Sequence, residues 1–371
     1  MTNLGSRLVL TLVLLTLTGC GGCKPSGGGG TSGGGGGGAV SGKRQFLSMG
    51  TAPVGGAFPV VGGAIAEVLN AHKGEIDWKV QAKGTKGSQE NIRRLQQDEL
   101  ELALSNAAIT YFAVRGEGNW DKKYDMRAIA TLAPNVALFI ARSDSGIQTI
   151  ADLKGKRVIT GPSGAGFQMF IEPILKEHGV EWADITSLNA TQSGAVDQLG
   201  DGSADAAFLG GAVPTASITQ ATSTFDVQFV AFDEQVRQTL IEKYRFFHPA
   251  TIPAGTYKGL EQDFQGLNVG SMHLITSASQ DEELIYQVTK TVWEHRAEIA
   301  GKHPAGKAIN EKNVARDTGT EYHPGAVRFY KEAGIWPETS EPASTDLAEA
   351  VSSTATEEAA APAEETATES E

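Results

Sequence analysis

The sequence predicts an α/β protein built as two lobes, and three observations carry that expectation. Between residues 43 and 337 short apolar strands alternate with amphipathic helical patterns, the mark of a mostly parallel sheet covered by helices. Two glycine-rich strand-to-helix openings occur, Gly50-Thr51-Ala52-Pro53-Val54-Gly55-Gly56 and Gly161-Pro162-Ser163-Gly164-Ala165-Gly166, each followed by a helical stripe. Roughly 295 residues are also more than one usual core accommodates.

The first unit opens with a strand at residues 46–49. Val61, Ile65, Val68 and Leu69 then recur at i, i+4, i+7 and i+8, one face of a helix. A strand at 78–82 follows, with Ser88 placed to cap a helix whose face is Ile92 and Leu95. Strands at 102–104, 126–132 and 137–141 continue the series. The second unit begins at Asp152-Leu153-Lys154-Gly155, a helical turn stopped by glycine, and a strand at 158–160. Phe167, Phe170, Ile171, Ile174 and Leu175 form the next stripe, which Pro173 is expected to kink or to start later. Further strands are expected at 185–188, 204–209 and 227–232, with helices near 193–199, 214–221 and 233–244. Leu284, Ile285, Val288 and Val292 mark a late amphipathic helix. In a cleft between two such lobes a ligand meets helix N-termini, whose partial positive charge suits an anion such as a carboxylate.

The ends of the chain have a different character. Arg7 precedes an apolar stretch at 8–17, about the length of a signal-peptide core and too short to span a bilayer. It runs into Leu17-Thr18-Gly19-Cys20, which resembles the lipobox of bacterial lipoproteins. Residues 1–19 are then the signal peptide, and Cys20 carries the lipid. Cys20-Gly21-Gly22-Cys23 has CxxC spacing, but no strand-to-helix context or second ligand pair makes it a redox or metal site. Residues 20–42 read as a glycine-rich tether. Residues 338–371, with ten acidic residues and no Lys or Arg, read as a disordered acidic tail.

Several function classes are excluded. A net charge of -13 leaves no basic surface for nucleic acid. Gly161-Pro162-Ser163-Gly164-Ala165 lacks the last glycine of a GxSxG elbow, and neither glycine turn has the GxGxxG or P-loop spacing. The seven histidines (His72, His178, His248, His273, His295, His303, His323) show no HExxH or paired zinc spacing. No enzyme activity, metal or cofactor is expected. Glu282-Glu283 sits at a helix start, where the helix dipole accounts for it.

Gly50-Thr51-Ala52-Pro53-Val54-Gly55-Gly56-Ala57-Phe58-Pro59 resembles the first loop of the TAXI family of solute-binding proteins, whose pattern is GTG-x-TGG-x-YYP. Glu90-Asn91-Ile92-Arg93, Asp144-Ser145-Gly146-Ile147, Asp152-Leu153-Lys154-Gly155-Lys156-Arg157-Val158 and Ala204-Asp205-Ala206-Ala207-Phe208 follow in the family's order. Pro249-Ala250-Thr251-Ile252-Pro253-Ala254-Gly255-Thr256-Tyr257 and His323-Pro324-Gly325-Ala326 continue it, so the resemblance covers about residues 43–336.

The resemblance implies a two-lobed type II periplasmic binding protein fold. Lobe 1 would comprise residues 43–138 and 248–337, and lobe 2 residues 139–247. It implies a lipid-anchored, extracytoplasmic receptor of a TRAP transporter, in the periplasm or at the cell surface. Such a receptor closes on a small organic anion, such as glutamate, a related amino acid or a dicarboxylate, and delivers it to the membrane subunits. A sensory ligand-binding protein on the same scaffold is the alternative. The implied site residues are Thr51, Gly55, Gly56 and Phe58, then Thr85, Ser88 and Asn91, then Ser105 and Asn106 from lobe 1. Lobe 2 would give Ser163, Gly164, Ala165 and Gly166 as an anion cradle and Gly210, Gly211, Val213 and Pro214 as a second wall. Thr251 would lie in the return crossover. Helix capping is the other role open to Thr51, Ser88 and Ser163. Ala52-Pro53-Val54, and Phe58 where the family often has Tyr, make the first loop less polar. Lys83-Gly84-Thr85-Lys86-Gly87-Ser88 adds cations, which either pair with a second carboxylate or stay solvated.

Overall fold

The computed structural model describes residues 44–53 and 56–337. The signal segment, Cys20, the tether, Val54, Gly55 and the acidic tail lie outside the described residues. The strands are β1 (Gln45–Gly50), β2 (Trp78–Lys83), β3 (Leu102–Asn106), β4 (Met126–Thr131), β5 (Val136–Ala137), β6 (Phe139–Arg142) and β7 (Arg157–Ile159). They continue as β8 (Thr186–Leu188), β9 (Ala206–Phe208), β10 (Val227–Phe229), β11 (Phe247–Ile252), β12 (Phe264–Val269) and β13 (Met272–Ser277). The α-helices are α1 (Ala57–Ala71), α2 (Ser88–Gln96), α3 (Ala107–Arg115), α4 (Gln168–Glu177) and α5 (Gln192–Gly200). Then come α6 (Ala216–Thr224), α7 (Glu234–Lys243), α8 (Glu282–Glu294), α9 (Arg296–Lys302) and α10 (Pro324–Glu332).

Two five-stranded sheets share one plan. The first runs β2-β1-β3-β13-β4 and the second β8-β7-β9-β6-β10. In each, the first three strands are parallel, and the fourth is antiparallel to both of its neighbours. The sheets are therefore mixed where the sequence pattern alone predicts a mostly parallel one. The reversed strands, β6 and β13, are the ones through which the chain passes between the lobes. A third, antiparallel sheet, β11-β12-β5, joins them: β5 leads into β6 and β12 into β13. Residues 137–141 thus form no single strand, because the chain changes sheets at Leu138. This is the two-lobed arrangement that the sequence pattern and the resemblance lead one to expect.

The helical stripes pack as their spacing requires. α1 buries Val61, Ile65, Val68 and Leu69 among Leu47, Met49 and Trp78, and Trp78 Nε1 donates to the Leu69 carbonyl at 2.6 Å. Each such side chain contributes about 1.5–3 kcal/mol by leaving water. α4 buries Phe170, Ile171, Ile174 and Leu175 and begins at Gln168, so its start is not displaced past Pro173. Gly87, not Ser88, is the N-cap of α2: Ser88 is the first helical residue, and its Oγ accepts from the Asn106 N–H at 3.0 Å. The two lobes are not cored separately. One apolar cluster holds Ile109 and Phe112 of α3 together with Met169 and Phe170 of α4 and with Phe246 and Phe247.

Asn106 fixes the corner where the chain returns to the first sheet. Its Oδ1 accepts from the Ala108 N–H at 2.8 Å, capping α3, and its Nδ2 donates to the Gly270 carbonyl at 2.8 Å. Gly270 has φ +106, and a Cβ there would lie 2.5 Å from Asn106 Oδ1 and 2.6 Å from the Ala108 nitrogen. Gly270→Ala therefore combines left-handed strain with loss of the cap, each worth about 1–2 kcal/mol. Urea unfolding is expected to show a stability loss of roughly 2–4 kcal/mol, and a neutral substitution would contradict this packing.

Candidate ligand-binding cleft

The cleft is built from the loops that follow the parallel strands of both sheets, where open α/β sheets place ligands. From the first lobe come Ala52, Pro53, Gly56, Ala57, Phe58 and Pro59 after β1, Lys86, Gly87 and Ser88 after β2, and Asn106 at the end of β3. The second lobe gives Pro162, Ala165 and Phe167 after β7, Thr191 and Gln192 after β8, and Gly210 and Gly211 after β9. Asn135, on the way into β5, closes the floor. The space between these residues, about 710 Å³, includes open solvent, so the cleft is open and not an enclosed cavity.

Five helices start at its wall, and three of them lack a side-chain cap. α1 begins after Gly56, α2 after Gly87 and α4 after Phe167, none with a capping side chain. The α3 and α5 starts are capped by Asn106 and Thr191. In α1 and α2 an uncapped first turn leaves peptide N–H groups for an external acceptor and a partial positive charge beside them, whereas the Met169 and Phe170 amides of α4 already donate to the Gly166 and Phe167 carbonyls at 3.1 Å. Lys86 is the one ionisable side chain among the lining residues, and no carboxylate is among them. The rest of the lining is largely apolar.

The walls meet at one lip. A Cβ on Gly87 would stand 3.5 Å from Ala165, and a Cβ on Gly164 would stand 3.5 Å from the Lys86 stem. Asn119 Nδ2 donates across the lobes to Gln168 Oε1 at 3.1 Å. Gly161 has φ +105, and a Cβ there would strike the Phe167 ring at 2.4 Å, so glycine lets that ring pack into the wall. Of the two lysines in the second loop, Lys83 donates to Ser48 Oγ at 2.7 Å, whereas Lys86 reaches the cleft.

The structure brings Gly56, Phe58, Ser88, Asn106, Ala165, Gly210 and Gly211 together in the lining. Other implied residues stand one layer back. Thr51 Oγ1 donates to the Lys83 carbonyl at 2.9 Å, so Thr51 caps no helix. Its carbonyl accepts from Thr85 Oγ1 at 3.1 Å and from Asn91 Nδ2 at 2.7 Å. Ser105 is buried and accepts from Thr110 Oγ1 at 2.8 Å. Ser163, Gly164 and Gly166 share the lip loop with Ala165 and are not among the lining residues, and neither are Val213 and Pro214, which are joined by a cis peptide in the segment after β9, beyond Gly211. Thr251 bonds Gln265 Oε1 at 3.2 Å on β11. Asn135, Phe167, Thr191 and Gln192 were not legible as site residues. Only the strand order places them there, although Thr191 carries an N-cap signature ahead of α5.

Behind Asn135 lies a buried polar chain. The Asn135 N–H donates to Asn268 Oδ1 at 3.0 Å, Asn268 Nδ2 to Ser271 Oγ at 3.0 Å, and Arg316 Nη2 to the same Ser271 Oγ at 2.7 Å. Arg316 Nε is buried without a partner, and the neighbouring Asp317 pairs with Arg245 instead. Burial pulls the Arg316 pKa down. His273, fully buried, bonds Thr318 Oγ1 at 2.9 Å through Nε2 and has an unpartnered Nδ1. Burial, reinforced by the Arg316 charge, holds His273 neutral with a pKa of about 3.

This neutrality has a consequence for stability. The folded pKa lies below that of an unfolded histidine, ~6.5, so the unfolded chain takes up the proton first. The contribution is undisturbed above pH ~6.5 and becomes destabilising as pH falls toward 3, by at most about 1.4 kcal/mol per pH unit. In urea unfolding across that window, His273→Gln is expected to lose stability less steeply than the unmodified protein. Equal slopes would contradict a buried neutral imidazole.

The solved structures similar to this chain include the periplasmic aliphatic sulphonate binding protein SsuA from Escherichia coli, at 13% identity and TM-score 0.40, covering 71% of this chain and 75% of that one. PhnD1 from Prochlorococcus marinus, in complex with methylphosphonate, is 11% identical at TM-score 0.49, covering 78% and 99%. The alkanesulfonate-binding protein SsuA from Xanthomonas axonopodis pv. citri, bound to MOPS, is 14% identical at TM-score 0.43, covering 84% and 99%. The model of the NMT1-like family matches residues 49–334, which span the strands and helices of both lobes, and the chain belongs to that family.

Proposed function

We propose that this protein is the extracytoplasmic solute receptor of a TAXI-type TRAP transporter and binds a small organic anion between its lobes. The observation that carries the reading is the convergence of three uncapped helix N-termini and Lys86 on a cleft lined by no carboxylate. We place lobe 1 at residues 43–138 and 248–337 and lobe 2 at 139–247, with the β11-β12-β5 sheet as the connection. The half-buried Arg316 adds positive potential behind Asn135, to which a chain of hydrogen bonds connects it.

The lining also ranks the ligand classes. An α-ammonium group finds no acidic partner among the lining residues, so a dicarboxylate or a carboxylate with an apolar body fits better than glutamate. Phe58, Phe167 and the prolines offer the apolar body a surface. The receptor hands its ligand to membrane subunits while tethered by lipid on Cys20. Two or three acyl chains give durable anchoring, at about 0.8 kcal/mol per buried methylene.

A thermal-shift screen over monocarboxylates, dicarboxylates and amino acids tests the ligand class. At 100-fold excess over Kd the true ligand is expected to stabilise the protein by about 2.7 kcal/mol. Lys86→Glu is expected to weaken binding roughly tenfold, about 1.4 kcal/mol. Stabilisation by cationic compounds alone, or full affinity in Lys86→Glu, contradicts the anion reading. Separately, Cys20→Ala is expected to move the protein from the membrane to the soluble fraction, and unchanged fractionation would refute the anchor.

A further inference from the structure

At the far end of α1, 15 residues or about 22 Å along the helix from the cleft, three side chains with metal-ligating atoms converge. His72 ends α1, His295 joins α8 to α9, and Glu298 stands in the first turn of α9. His72 Nε2 lies 2.9 Å from Glu298 Oε1, and His295 Nδ1 lies 2.9 Å from the same oxygen. The two imidazole rings are stacked, with centroids 3.5 Å apart and planes 10° from parallel. All three donor atoms fall within 4.8 Å of one another.

The two 2.9 Å nitrogen–oxygen separations approach those of ligands sharing a cation, and the two nitrogens lie within 4.8 Å of each other. Donor atoms ~2.1 Å from a shared ion stand about 3.0 Å apart at a right angle and about 3.4 Å apart at a tetrahedral one. Two imidazole nitrogens and one carboxylate suit a first-row transition ion, whereas magnesium and calcium prefer oxygen alone. In the metal-free state each imidazole N–H donates to the shared carboxylate. An ion replaces those protons, and the rings fan apart to aim their lone pairs at it.

The surroundings favour a cation as well. α1 and α8 both end here, and the partial negative charge of their terminal carbonyls outnumbers the single opposing start of the short α9. The neighbouring lysines are already engaged, Lys73 with Asp77 at 2.7 Å and Lys302 with Glu67. The three side chains are 33%, 30% and 48% exposed, open to an ion and its remaining waters. No motif announces the cluster, because His72 and Glu298 are 226 positions apart.

We propose that His72, His295 and Glu298 form a surface site for a divalent first-row transition metal, Zn²⁺ being the probe, which pins the end of α1 to the α8–α9 junction. The proposal is independent of the ligand cleft. Calorimetric titration of Zn²⁺ into the chelator-treated full chain tests it, in a Cys20→Ser, Cys23→Ser background that removes competing thiols. One saturable equivalent is expected, with Mg²⁺ giving none. Replacing a single ligand, as in His72→Ala or Glu298→Gln, is expected to weaken Zn²⁺ at least as much as loss of a supporting residue does, about 10–100-fold. Circular dichroism confirms that the variants fold, and Co²⁺ added to the unmodified site is expected to give a visible absorption band that Zn²⁺ displaces. Absence of saturable Zn²⁺ binding, or unchanged affinity in His72→Ala with His295→Ala, overturns the proposal.

Discussion

Peptide groups at the start of a helix need an acceptor, and α1 and α2 turn that need toward one space, beside which α4 opens with its Met169 and Phe170 amides already bonded to the Gly166 and Phe167 carbonyls. Most other helices meet it internally: α3, α5, α7, α8 and α10 all carry a side chain that accepts a first-turn amide. α1, α2 and α4 do not, and all three open at the cleft. The partial positive charge of those ends, with Lys86 and no opposing carboxylate in the lining, selects for an anion before any specific contact is considered.

The sheet topology makes the convergence possible. Each lobe orders its strands alike, so the loops after β1, β2 and β3 face their counterparts after β7, β8 and β9. The reversed strands β6 and β13 carry the chain between lobes, and Asn106 and Gly270 lock the return corner beside the ligand space. The apolar cluster linking α3 to α4 sets a limit on motion. Relative movement of the lobes must shear or hinge around that packing instead of separating two independent cores.

Much of this was legible in the sequence wherever the information was local. The face of α1 and the stripe of α4 follow from residue spacing, and the structure buries Val61, Ile65, Val68 and Leu69 and then Phe170, Ile171, Ile174 and Leu175, while Phe167 stands one residue ahead of α4 at the cleft. The α2 start was misread because Ser88 has a capping chemistry, yet its hydroxyl serves the Asn106 amide across the sheet. The break at Leu138 was hidden in one continuous apolar run that feeds two sheets. Lys83 and Lys86 are equivalent by sequence, and only the tertiary partner Ser48 distinguishes them. Asn135 and Gln192 sit outside any motif, so their place in the lining depends on strand order.

The decisive measurement is a crystal structure of the protein with its anionic ligand bound. The account predicts carboxylate oxygens within hydrogen-bond distance, about 2.7–3.2 Å, of first-turn amides of α1 or α2, with the apolar body against Phe58 and Phe167. A carboxylate held elsewhere, with those amides still facing water, would contradict it.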